Sequence, residues 1–140
     1  MIDAPTAKYV QALPPVSVAG GASATTTEID TIGFDYCEFL VLAGLIPSTG
    51  VATLKLQESD VSGSGQVDIS GAAWTALVDA DDNKVVAAFL DLRKRKRFLT
   101  LVITNGATNA SLLASLAILS RARQLPDTAS DRNLKEQLFP

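Results

Sequence analysis

Two stretches of the chain alternate cleanly between apolar and polar positions. In VATLKLQES (51–59), Leu54 and Leu56 fall on one side and Thr53, Lys55 and Gln57 on the other, the pattern of a strand with one buried face. In RFLTLVIT (97–104), Leu99, Leu101 and Ile103 share one face and Phe98, Thr100 and Val102 the other. Other stretches are apolar without that rhythm. Residues 36–45 are apolar on both faces, which predicts a strand covered on both. KVVAAFLDL (84–92) reads as a strand, with a helical turn as the alternative. ASLLASLAILSRAR (110–123) is rich in alanine and leucine, which favours helix. Its alternation of Leu112, Ala114, Leu116 and Ile118, and its place after the Asn105-Gly106 turn signal, favour strand. We read it as a strand, the hairpin partner of 97–104.

Turn chemistry separates these stretches: a turn at 31–35, IPSTG at 46–50, the glycine-rich DVSGSGQVDISG at 60–71 and NGATN at 105–109. The threonine-rich segment 22–30 has β character and little helical character. The ends differ. Pro5, Pro14, Pro15, Gly20 and Gly21 break any regular pattern over 1–21, leaving an arm with a short strand at 16–19. A second arm spans 121–140, where Asp131 is placed to cap a short helical turn carrying Leu134 and Leu138. That pair and Phe139 would be wasted in solvent, so the tail is expected to dock, on a neighbouring chain. Seven or eight short strands result, which predicts an all-β antiparallel sandwich, immunoglobulin-like or jelly-roll-like. We expect one domain over 22–120, jelly-roll-like, between extended N- and C-terminal arms.

The 140 residues are 47% hydrophobic and 19% charged, enough for a sizeable core beneath a sparsely charged surface. The net charge is −3, and five of the twelve cations stand together at 93–97, so the rest of the chain carries −8. Nucleic-acid binders spread positive charge along a face, which this chain does not. It has no histidine, which removes Ser-His-Asp and Cys-His catalysis and imidazole metal ligation. Its single cysteine, Cys37, sits in an apolar run and reads as a buried hydrophobe. SGSG at 62–65 lacks the lysine and spacing of a phosphate loop. Asp79, Asp81 and Asp82 lack the spacing of a calcium loop and read as a solvated turn leading to Asn83. Glu58 and Asp60 could do acid–base work, but nothing adjacent would split their proton affinities. No secretory signal and no membrane-length apolar run is evident, so a soluble protein made in a cytoplasm is expected, with no membrane partner and no cofactor.

The order LKLQESD (54–60), AAWTAL (72–77), RFLTLVITNG (97–106) and SRARQLPDT (120–128) resembles that of capsid cement, or head decoration, proteins of tailed bacteriophages, over residues 36–127. The resemblance implies a jelly-roll-like sandwich that binds the outside of an icosahedral head and bridges neighbouring major capsid proteins, hence a virion protein without enzymatic activity. Association with further copies is expected as well, a dimer before a trimer. The other reading is a carbohydrate- or surface-binding sandwich, tail- or fibre-associated, with Trp74 and Tyr36 as stacking platforms.

The basic run, Arg93, Lys94, Arg95, Lys96 and Arg97, is denser than that family's pattern, so no site is carried onto it by resemblance. On a regular strand its charges would alternate faces, and a buried face cannot hold them unpaired. Part of the run is therefore loop or strand end. It could be a solvated guard against edge-to-edge aggregation of the following strand. It could also dock on carboxylates of a capsid partner, or bind a polyanion. No nucleic-acid partner is expected, because no aromatic is interleaved in the run. With Leu134, Leu138 and Phe139, the five cations are the candidate partner-binding residues.

Overall fold

The computed structural model describes residues 6–48, 51–106, 109–122 and 130–136. Among the described residues nine strands follow one another: β1 (Lys8–Val18), β2 (Ser23–Thr25), β3 (Ile29–Asp30), β4 (Phe34–Ala43), β5 (Ala52–Ser59), β6 (Val67–Ala73), β7 (Val85–Asp91), β8 (Phe98–Asn105) and β9 (Ser111–Ala122). They form a four-stranded sheet in the order β1-β9-β4-β7 and a five-stranded sheet in the order β2-β8-β5-β6, with β3 also on β8. All pairings are antiparallel. β1 with β9, β2 and β3 with β8, β4 with β7, and β5 with β6 nest like one long hairpin. The pairs β4·β9 and β5·β8 roll that hairpin into two sheets. This is the jelly-roll arrangement rather than the immunoglobulin one.

The core lies between the sheets, where the alternation of β5 and β8 sends Leu54, Leu56, Leu99, Leu101 and Ile103. They meet Phe39 and Val41 of β4 and Leu113, Ala117 and Leu119 of β9. Each of these side chains larger than alanine contributes about 1.5–3 kcal/mol by leaving water. At one end of the sandwich Gly44 follows β4 and donates its N–H to Leu112 O at 2.8 Å. A Cβ on Gly44 would stand 3.0 Å from the Leu112 Cβ, so only glycine fits this approach without displacement.

Several expectations are corrected. Residues 8–18, expected in an arm, form β1, an edge strand of the four-stranded sheet. The chain disguises it with Pro14 and Pro15, which fall where the pairing slips between Leu13↔Ser115 and Val16↔Leu113. An edge strand at a bulge tolerates prolines because neither is asked for a ladder N–H. The 84–92 alternative resolves as strand, β7. Residues 111–122 are a strand, but not the hairpin partner of 97–104: β8 and β9 lie in different sheets, and β9 pairs with β1 and β4. The expected glycine-rich loop over 60–71 ends early, since β6 begins at Val67. Residues 130–133 form a turn, closed by the Asn133 N–H donating to Ser130 O at 3.0 Å, and not a helical turn. Arg132 is buried and its carbonyl accepts the Tyr9 N–H at 2.9 Å, so 130–136 rests on this chain's own β1.

Candidate docking surface

The five cations occupy the crossover from β7 in one sheet to β8 in the other. A single 3-10 turn, Leu92–Lys94, starts it, with Leu92 buried and the Asp91 carboxylate accepting the Arg93 N–H at 3.1 Å. The side chains then turn to acids of the same chain. Arg93 forks onto Asp91 at 2.9 and 2.7 Å. Arg95 reaches Glu58 at 3.5 Å, and the same carboxylate accepts the Lys96 N–H at 3.1 Å. Lys96 lies 3.6 Å from Asp60, and Arg97 forks onto Asp30 at 2.8 and 2.7 Å. Among the described residues only Lys94 of the run lacks a carboxylate within ion-pair distance. The run therefore acts as a set of ties across one end of the sandwich rather than as a bare cationic patch. Exposed ties of this kind contribute about 0–1 kcal/mol each.

These ties shape the acid titration. The hydrogen-bonded Arg93 guanidinium holds the Asp91 carboxyl down to about 2, and Arg97 holds Asp30 below the usual carboxylate range in the same way. A carboxyl depressed in the fold adds stability above its unfolded value, near 3.8, and loses it as pH falls through the folded value. We expect the Asp91 carboxyl carbon to titrate near pH 2 by NMR and to return to the ordinary range in Arg93→Gln.

Tyr36 stands at this end of the four-stranded sheet. Its ring takes the guanidinium of Arg93 on 5.4 Å and that of Arg121 on 5.4 Å, and its hydroxyl accepts from Arg93 at 3.2 Å. Trp74 is half-buried against the core, and its Nε1–H donates to Ala87 O at 3.1 Å, pinning the β6 edge to the β7 edge. It caps the open side of the sandwich. Cys37 is buried, and burial pushes its thiol up to about 12. A thiol reagent should label it through opening of the native chain, orders of magnitude more slowly than it labels the unfolded chain in denaturant. Leu134 is half-buried, whereas Leu138 and Phe139 lie outside the described residues. Among the described residues no cluster of acidic, cysteine or histidine side chains could hold a metal. Among the described residues no helix is long and apolar enough to cross a membrane.

The two outer faces of the sandwich differ. On the five-stranded sheet, Thr53, Lys55, Gln57 and Thr104 point outward with Asp68, which accepts from Lys55 at 2.9 Å and from Gln57 at 2.7 Å. That face suits water. On the four-stranded sheet, outward positions pair Leu42 with Val85, Leu40 with Ala87 and with Leu116, and Leu42 with Ala114. Phe89 is 77% exposed, Val85 57%, Leu112 45% and Leu42 42%. An apolar groove of about 310 Å³ runs along Pro15, Val16, Leu42, Gly44, Leu112 and Ala114. Residues 36–45 were expected to be covered on both faces, and here the single chain covers one. Sequence reasoning missed this surface as a site, although the signal was present: residues 39–43 of β4, 85–90 of β7 and 116–119 of β9 are apolar at consecutive positions, with Glu38 the charged exception beside Phe89. Antiparallel sheets usually keep one solvated face polar, and a contiguous apolar one marks an interaction surface.

No family model and no curated protein matches the chain. Solved structures do match in fold. A structure of the infectious bursal disease virus Gt strain aligns with TM-score 0.52 at 10% identity, over 85% of this chain and 33% of that one. The VP2 subviral particle of the same virus aligns with TM-score 0.51 at 9% identity, over 84% and 32%. The N-terminal CBM22-1–GH10 modules of Clostridium thermocellum xylanase 10B align with TM-score 0.46 at 10% identity, over 86% and 27%. The chain thus spans about a third of each viral protein. At such identities the likeness shows the fold alone, an all-β, jelly-roll-like sandwich, and no particular cement family.

Proposed function

We propose that this chain is a surface-binding β-sandwich module that works by attachment and carries out no chemistry of its own. The observation that supports it is the apolar outer face of the four-stranded sheet, set against a polar outer face on the other. Leaving Phe89, Val85, Leu112 and Leu42 in water forgoes roughly 25 cal/mol for each Å² that a partner would cover. The acids considered for acid–base chemistry, Glu58 and Asp60, are engaged by Arg95 and Lys96. The narrower form of the reading is a decoration subunit on the outer surface of a phage head, bridging major capsid proteins. It draws on the motif order and on a jelly roll with little but loops and ties at its ends. The carbohydrate form would rest on Tyr36, because the Trp74 indole is already bonded to Ala87.

The test is retention. The labelled chain is mixed with expanded phage heads and, separately, with insoluble polysaccharides. Attachment to one of them should be lost in Leu112→Glu and kept in Thr53→Glu on the polar face. Equal retention of both variants, or turnover of a substrate by the chain alone, would contradict the proposal.

A further inference from the structure

A polar cleft lies on the outer side of the five-stranded sheet, away from the apolar face. β2 and β3 flank β8 on one side, and β5 and then β6 follow on the other. Glu28, between β2 and β3, nevertheless reaches the loop between β5 and β6. Its carboxylate accepts the Ser62 hydroxyl at 2.6 Å, the Gly63 N–H at 2.9 Å and the Gln66 amide at 3.3 Å. The loop is thereby drawn toward Glu28 over the cross-strand pair Gln57↔Thr100. Between them lies a space of about 390 Å³ whose lining includes Thr26, Glu28, Gln57, Gly63, Gln66 and Thr100. That volume falls within the roughly 300–1,000 Å³ of small-molecule sites. Thr100 is only 5% exposed, and its Oγ1 is buried with no hydrogen-bond partner among the described residues. Native folds leave few such hydroxyls. The groups around it are only partly used. The Thr26 hydroxyl accepts the Leu101 N–H at 3.0 Å, which leaves its own proton to donate. Gln57 donates its amide to Asp68 at 2.7 Å and Gln66 donates to Glu28, which leaves the Oε1 of each as an acceptor.

We propose that this cleft binds one unit of an uncharged saccharide through its hydroxyls. The lining mixes hydroxyl protons with amide oxygens, and a sugar hydroxyl is the group that both donates and accepts. An anion would meet the charge of Glu28, the one charged residue of the lining. A cation would leave the Thr26 proton without an acceptor. No aromatic lines the cleft, so nothing stacks on a sugar face and recognition rests on hydrogen bonds. Each of them replaces a bond to water, so the affinity is of roughly millimolar order. The Thr100 hydroxyl has almost no accessible surface, and the ligand reaches it as the half-buried Gln57 and Gln66 side chains part. It then gains the partner that its own chain does not supply. The site is separate from the apolar attachment surface and does not rest on that reading.

NMR titration of the full chain with the methyl glycosides of glucose, galactose, mannose and xylose, each to about 100 mM, tests this. The side-chain amide signals of Gln57 and Gln66 and the backbone signal of Thr100 should shift with at least one of them. Thr100→Val keeps the shape and removes only the orphaned hydroxyl. It should resist urea as well as the wild type, yet bind about 2- to 10-fold more weakly. Gln57→Leu should weaken binding by a similar factor, and Leu112→Glu, on the apolar face, should bind as the wild type does. The matching trisaccharides separate the sources of the unit: tighter binding than the methyl glycoside assigns it to a glycan chain, equal binding to a free sugar. Silence of these signals toward every glycoside, or shifts with ammonium or phosphate ions in place of sugars, would overturn the proposal. So would undiminished binding in Thr100→Val and Gln57→Leu. If Leu112→Glu and Thr53→Glu are retained alike on heads and polysaccharides while these shifts persist, the attachment reading falls and the cleft stands.

Discussion

Phe39→Ala should lower the unfolding free energy by about 3–5 kcal/mol, and Phe89→Ala, measured on the dilute chain, should change it by no more than about 0.5 kcal/mol. The two phenylalanines belong to paired neighbouring strands of one sheet, β4 and β7. Phe39 is fully buried and Phe89 is 77% exposed. Truncating the first removes a ring from the space between the sheets, where Leu54, Leu56, Leu99 and Leu101 are fixed by their own strands and cannot collapse into the void. Truncating the second removes a ring that water already surrounds. For a domain of this size the Phe39 loss corresponds to a fall in Tm of about 10–20 °C. Urea unfolding of both variants checks the pair. Similar costs would mean that the inner and outer faces of the four-stranded sheet are wrongly assigned.

Asn105→Asp should cost about 3–5 kcal/mol, although it exchanges one atom. Asn105 is fully buried at the end of β8, and its Nδ2 donates to Val18 O at 2.8 Å and to Asn109 O at 3.0 Å. Its backbone N–H donates to Ala22 O at 2.9 Å. One amide therefore joins the five-stranded sheet to the end of β1 and to the approach to β9. A carboxylate there would present oxygen to two carbonyl oxygens and leave a charge without a cation. Burial would raise the native pKa of the introduced carboxyl. The charge part of the penalty is therefore absent below the unfolded value of about 3.9, where the protonated carboxyl still donates one hydrogen bond in place of the amide's two. It grows as pH rises toward the native pKa and is complete above it. Chemical unfolding at pH 3.5 and pH 7 should show the larger deficit at pH 7. Equal deficits would mean that the amide's role is packing alone.

Asn105 also shows where sequence reasoning reached its limit. Asn-Gly between two apolar stretches is the ordinary signal of a tight hairpin, and locally nothing contradicts it. Here β8 and β9 belong to different sheets, so the same dipeptide serves a crossover, and the asparagine is retained for what its side chain ties together. β5 and β8 were legible because one face of each meets water and alternation survives. β9 resembled a helix because both its faces are apolar: Leu113, Ala117 and Leu119 point inward and Leu112, Leu116 and Ile118 outward. β1 was hidden by two prolines that an edge bulge accommodates. The basic run could not be resolved from sequence because its partners, Asp30, Glu58 and Asp60, lie 36 to 67 positions away and meet it only once both sheets form. The docking surface had its signal in plain view, apolar residues on both faces of 36–45. What the sequence could not tell was whether this chain or another supplies the second cover.

Hydroxyl-radical footprinting addresses that question most directly. The chain is labelled at high dilution and again in the assembly it forms, with itself or on a head or polysaccharide. The account predicts that Phe89, Leu42 and Leu112 lose most of their reactivity on assembly. Ile32 and Val61, 62% and 60% exposed and away from this face, should keep theirs. Undiminished labelling of Phe89 in an assembly that shields Ile32 or Val61 would contradict it.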